Sequence, residues 1–258
     1  MSDFFEHTLV RVLALQVRLY ACQARLAGDT DSEALHDLRI ALRQLRSVLR
    51  PMRGLAGIDA LEQAAAVLGR LTGPLRDREV LLAELERLGQ ASLLASAASP
   101  RAAGYAAVAG CRELGELLAQ FDAWPAGWHE AARRGQLQGI DKRIRRRLRR
   151  QQLQLALALR DPAYDRHRLR LLIKRVRYAT EAYPRQSGLD KAVRGRLKRA
   201  QSALGDWHDH VQWLAQAEAI DSLRACEDVW LQAQLAAEAR ADDALLALYV
   251  DFPAEGSR

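Results

Sequence analysis

Sulfur, glycine, proline and aromatic rings are all scarce in this sequence of 258 residues. The three cysteines, Cys22, Cys111 and Cys226, are odd in number and far apart. They offer neither a disulfide framework nor a paired-cysteine metal knuckle, and they suit a reducing cytoplasm. Gly and Pro together number 23 and aromatic residues make up 6%, so the chain is neither low-complexity nor disordered in composition. β-Branched residues are few beside Ala, Leu, Arg, Glu and Gln, which turns the reading from sheet to helix. No apolar run approaches the roughly 20 residues of a membrane helix, so no helical span and no membrane partner are expected. The start, MSDFFEHTLVRVLALQV, puts acids ahead of a short apolar stretch that Arg11 interrupts, the wrong layout for a secretory signal. Phosphate-cradling GxxxxGK[ST], a nucleophile elbow and HExxH are missing too. A phosphatase or kinase would need one of these or a carboxylate pair for Mg²⁺, so a binding protein without cofactor is expected rather than an enzyme.

Positive charge is what the chain has in excess. The net charge is +7, but between Ile140 and Arg199 there are 20 Lys/Arg against 5 Asp/Glu, a local balance of +15 that leaves −8 for the rest. Such an imbalance repels itself unless an anionic partner relieves it. A merely solvated basic surface is the plainer alternative.

Apolar periodicity predicts an all-α protein with helices near Asp3–Ala27, Ser32–Arg53, Ile58–Leu71, Arg76–Leu88, Arg101–Phe121, Leu137–Leu159, Tyr164–Tyr183, Leu189–Leu204, Trp207–Ala219 and Ser222–Val250. Stops are expected at Gly28-Asp29, Pro51, Gly73-Pro74, Ser99-Pro100, Asp161-Pro162, Pro184 and Gly205-Asp206. The stretch from Trp124 to Gly139 carries Pro125, Gly127, Gly135 and Gly139. A linker over 124–136 is therefore expected between a first helical bundle, 1–123, and a second, 137–250.

The two halves repeat each other. HDLRIALRQLRSVLR from His36 aligns without gaps on HRLRLLIKRVRYATE from His167, matching Arg39 with Arg170, Arg43 with Lys174 and Arg46 with Arg177. Each copy later reaches a Gly-x-x-x-Asp turn, at Gly73 and Asp77 and at Gly205 and Asp209. On a helical wheel Leu35, Leu38, Leu42, Leu45 and Leu49 form an apolar seam, and His36, Arg39, Arg43, Arg46 and Arg50 run one residue later as a basic seam beside it. Leu169, Ile173 and Val176 repeat the pattern beside His167, Arg170, Lys174 and Arg177.

Cations at the edge of a core seam are only partly solvated and need a counter-charge. Carboxylates of a neighbouring helix, Asp77 and Asp209 being candidates, or a bound anion would supply it. Guanidinium groups one turn apart, about 5–6 Å, match a linear chain of phosphates, which Arg binds bidentately. Each His lies in the first turn of its helix, where free backbone N–H groups attract anions; capping or packing is its structural alternative. The Lys142–Arg150 run surrounds its helix and is less specific, and Arg11 and Arg18 lie on the corresponding helix of the first half. His208 and His210 diverge by about 160° on a helix, so Trp207-His208-Asp209-His210 does not make a metal site. The five tryptophans do not interleave with the basic seams and fit packing better than base stacking.

These motifs, together with LKRAQSALGDWHD from Leu197, resemble the CHAD family, the conserved-histidine α-helical domain. The resemblance spans nearly the whole chain, as a single domain of two repeats. It implies two four-helix bundles related by pseudo-two-fold symmetry around a basic central cavity. It also implies binding of inorganic polyphosphate and association with polyphosphate granules in the cytoplasm. The matched ligand positions are His36, Arg39, Arg43, Arg46, His167, Arg170, Lys174 and Arg177, with Lys198 added and Arg50 extending the first seam. Asp37, directly after the first His, departs from the pattern. RNA or DNA binding through the same surface, other polyanions, and polyphosphate or nucleotide hydrolysis are the alternatives.

Overall fold

The computed structural model describes residues 3–90, 93 and 101–252; the expected stop at Ser99-Pro100 lies outside them. The described residues form helices α1 (Asp3–Ala27), α2 (Ala34–Leu49), α3 (Ile58–Leu71), α4 (Gly73–Arg87), α5 (Arg101–Ala109), α6 (Arg112–Arg133), α7 (Ile140–Ala158), α8 (Arg166–Ala182), α9 (Pro184–Ser187), α10 (Lys191–Ala219) and α11 (Glu227–Tyr249). Short 3₁₀ turns lie at Arg50–Met52 and Asp221–Cys226, and no described residue is in a strand. The chain divides into two compact units between Arg143 and Ile144, inside α7.

In the first unit α2 is the central helix, packed between α1 and α3. Its expected apolar seam, Leu35, Leu38, Leu42, Leu45 and Leu49, is buried throughout. This burial fixes the rotation of α2 and so places the adjacent basic seam at the edge of the core. α6 closes the same unit against α3 and α1. Trp128 stacks on Phe5 at 5.8 Å between ring centroids and on Trp124 at 5.4 Å, and its indole N–H donates to the Phe5 carbonyl at 3.3 Å.

That packing corrects the expected linker over 124–136. The chain is helical through Arg133, and Trp124 and Trp128 are core residues. Pro125 removes one helical hydrogen bond, a loss that the burial of two indoles outweighs. Gly127 serves close approach rather than flexibility: a Cβ there would lie 3.4 Å from the Gly57 Cα. Replacing Trp128 with alanine is expected to lower stability by roughly 3–5 kcal/mol in urea unfolding. A loss below about 1 kcal/mol would remove this cluster from the core that closes the unit.

The second unit is built on α8, α10 and α11 with the body of α7. Leu155, Ile173, Val176, Leu197, Leu204 and Leu248 form its core. Side-chain caps start two of its helices: Asp165 accepts from the Arg168 amide and Asp190 from the Val193 amide, each at 2.8 Å. α10 runs unbroken to Ala219, past the stop expected at Gly205-Asp206. A mid-helix glycine costs only about 1 kcal/mol, and packing of α11 along α10 overrides it. The reverse occurs at Gly110-Cys111, where the expected single helix Arg101–Phe121 divides into α5 and α6. In the Lys142–Arg150 run, Ile144 and Leu148 face the core while Arg145, Arg146, Arg149 and Arg150 are exposed.

Candidate anion-binding site

Along α2, His36, Arg39, Arg43, Arg46 and Arg50 are all half-buried, as their place beside the core seam dictates. Arg39 reaches the C-terminal end of α3, donating to the Gly69 carbonyl at 2.9 Å and the Thr72 hydroxyl at 3.0 Å. Burial lowers its pKa from the usual arginine value; Asp77 opposes that shift, and Arg76 and Arg43 reinforce it. Asp77 of the first turn therefore acts on the seam as expected, but through space rather than as the main counter-charge.

The main counter-charge is Glu62, on α3. Arg46 and Arg50 each donate to its Oε1 at 3.0 Å, and Arg53 donates to its Oε2 at 3.1 Å. The carboxylate is buried, with 2% side-chain exposure. Burial alone would raise its pKa, yet the hydrogen bonds from Arg53, Arg46 and Arg50 hold it down at about 2. One anion thus gathers three guanidinium groups at the far end of the first seam, and the cluster keeps a net positive charge.

Asp37 does not enter the seam. It is paired with Arg18 at 3.1 Å and Arg25 at 2.7 Å, both on α1, so the departure from the repeat serves helix packing. Arg18, on the helix that corresponds to the Lys142–Arg150 run, is occupied in this way.

In the second unit, α8 presents His167 exposed and Arg170, Lys174 and Arg177 half-buried. Arg177 lies over the Tyr178 ring at 4.6 Å and pairs with Glu181, one turn on, at 3.2 Å. Tyr178 accepts from Gln201 of α10 at 3.0 Å. Lys198, also on α10, is exposed.

His208 joins this group from α10. Its ring lies 4.8 Å from that of His167. Burial, then the charges of Arg170, His167 and Lys174, depress its pKa to about 4. The neighbouring His210 turns away, with Nδ1 on the Asp206 carbonyl at 2.7 Å and its ring edge-on to Trp213. The divergence expected along the helix is therefore present. A cavity of about 320 Å³ opens between α7, α8 and α11 and one of about 430 Å³ between α7 and α8, and neither is lined by the four α8 seam residues.

The family model of the CHAD domain matches residues 12–218, a span that includes both seams. The chain belongs to the CHAD domain family. Its fold is similar to that in the crystal structure of the CHAD domain from the plant Ricinus communis, with a TM-score of 0.64 and 23% identity. The match covers 97% of this chain and 88% of the other. No curated protein matches the sequence.

Within this CHAD domain, sequence reasoning missed Glu62 and His208. Both left a signal. Glu62 interrupts the apolar face of α3 formed by Ile58, Leu61, Ala65 and Leu68, where a charge is buried only with partners. His208 precedes Asp209 as Arg76 precedes Asp77, so both turns carry a basic residue at the same place. The two interactions correspond: the charge of Arg76 bears on Arg39, and that of Arg170 on His208.

Proposed function

We propose that this CHAD protein binds inorganic polyphosphate through its two His/Arg/Lys seams and does so without catalysing a reaction. The observation that carries the reading is the seam itself. In each unit a row of cations one helical turn apart is held half-buried beside a packed apolar face. Pre-oriented, partly desolvated guanidinium groups bind phosphoryl oxygens more strongly than mobile surface lysines do. Membership of the CHAD family supports phosphate as the ligand chemistry. The pseudo-two-fold arrangement around a shared basic cavity, and residence at polyphosphate granules in the cytoplasm, belong to this proposal.

Long polyphosphate is then expected to bind more tightly than pyrophosphate, because a long chain engages both seams at once. Its affinity is expected to fall steeply with salt, as counterions are released from the polyanion. Titration calorimetry across chain lengths and salt concentrations tests both points. Equal affinity for pyrophosphate and long chains would overturn the two-seam reading. Preference for RNA in direct competition would replace polyphosphate as the ligand, and phosphate release with Mg²⁺ or Mn²⁺ would establish a hydrolase.

A further inference from the structure

We propose that His208 is an anion ligand of the second seam and binds as the imidazolium, so that anion binding in this unit takes up a proton. The inference rests on the polyphosphate reading above and adds to it a ligand and a proton linkage.

Position argues first. His208 stands across from the N-terminal turn of α8, its ring against His167. That turn carries the positive end of the helix dipole, which favours a phosphoryl group, with Asp165 already capping the Arg168 amide. The repeat argues next. The equivalent place in the first unit holds Arg76, a permanent cation acting on Arg39. A basic group whose charge couples to the second rung of the seam is therefore present in both units, Arg76 being fixed in charge and paired with Glu79, His208 titratable.

Electrostatics gives the linkage its sign. With no anion present, burial and the charges of Arg170, His167 and Lys174 keep His208 neutral near pH 7. All three groups are on α8, across from the helix that carries His208. A phosphoryl group seated beside Arg170 and Lys174 reverses the local field and supplies acceptors for the imidazolium N–H. Its pKa then rises toward the ordinary histidine range, about 6.5. Because the bound form holds the proton more tightly, affinity increases as pH falls through the bound-state pKa. The gain levels off below the free-state value of about 4.

Calorimetry of the full chain with long-chain polyphosphate tests this, in two buffers of different ionisation enthalpy. Internal phosphates of a long chain stay ionised in this range, so proton uptake reports on the protein. The wild type is expected to bind about tenfold more tightly near pH 5 than near pH 8 in excess of any gain shown by His208→Gln, which lacks one proton of uptake. His208→Arg, which copies Arg76, is expected to bind near pH 8 about as tightly as the wild type does near pH 5. Equal proton uptake and equal pH dependence in the wild type and His208→Gln, with both binding, would overturn the role of His208 alone. Absence of polyphosphate binding by the wild type at every pH would overturn the functional reading beneath it.

Discussion

Replacing Glu62 with alanine is expected to destabilise the protein by about 3 kcal/mol at neutral pH, the magnitude implied by a carboxyl depressed from 4.5 to about 2. The carboxylate itself is almost fully buried, so solvent screens its ion pairs little. The three partners are less so, Arg53 being about half exposed. A folded-state pKa below the unfolded one stabilises above the unfolded value and loses that effect as pH falls through the folded value. Glu62 therefore stabilises fully above about pH 4.5, and its contribution disappears toward pH 2. Urea unfolding of the wild type and of Glu62→Ala at neutral pH, repeated in acid, measures both. A difference below about 1 kcal/mol at neutral pH would mean that the three arginines find water as easily as they find the carboxylate. Long polyphosphate is expected to restore part of the stability to the variant, since it replaces the missing anion and binds the folded state alone.

Much of the fold was legible because its periodic and punctuating residues act locally. α1 and α3 have the bounds read from the sequence, where apolar seams of period 3.6 meet Gly28-Asp29 and Gly73-Pro74. The failures came where tertiary packing outweighs local preference. Pro125 and Gly127 read as linker residues until two indoles and a helix crossing at Gly57 are in place. Gly205 reads as a stop until α11 is packed along α10.

The site divides in the same way. The seams were legible because a 3-4 spacing is a property of one helix. Glu62, the counter-charge of the first seam, was not, because it comes from another element. Glu62 lies 12 residues after Arg50 and 16 after Arg46, on a helix whose rotation the sequence sets only through its apolar face. Asp37, by contrast, sits inside the repeat and pairs with arginines of α1 instead. A charge in a motif states what it can bind, and only its surroundings decide what it does bind.

That distinction separates the two ends of the first seam and leads to the largest effect on binding. Converting Arg39, Arg43, Arg170 and Lys174 together to alanine is expected to weaken long-chain polyphosphate binding at least a hundredfold. Four charge-assisted hydrogen bonds of about 1.5–3 kcal/mol each are at stake, even with strong non-additivity. The salt dependence is expected to become shallower by roughly 0.7 in slope for each cation removed, the increment for a single-stranded polyanion. Converting Arg46, Arg50 and Arg53 instead is expected to give the opposite balance. Those three are already engaged by Glu62, so polyphosphate gains less from them, while the fold is left with an unpaired buried carboxylate. The first variant should lose more affinity than the second, with a smaller loss of stability that includes the bonds from Arg39 to Gly69 and Thr72, and the second should lose stability with less loss of affinity. Calorimetric titration and urea unfolding of both variants decide the matter. Unchanged affinity in the quadruple variant would clear the seams of any part in polyphosphate binding. Equal losses of affinity in the two would mean that a bound chain displaces Glu62 and uses the whole length of α2.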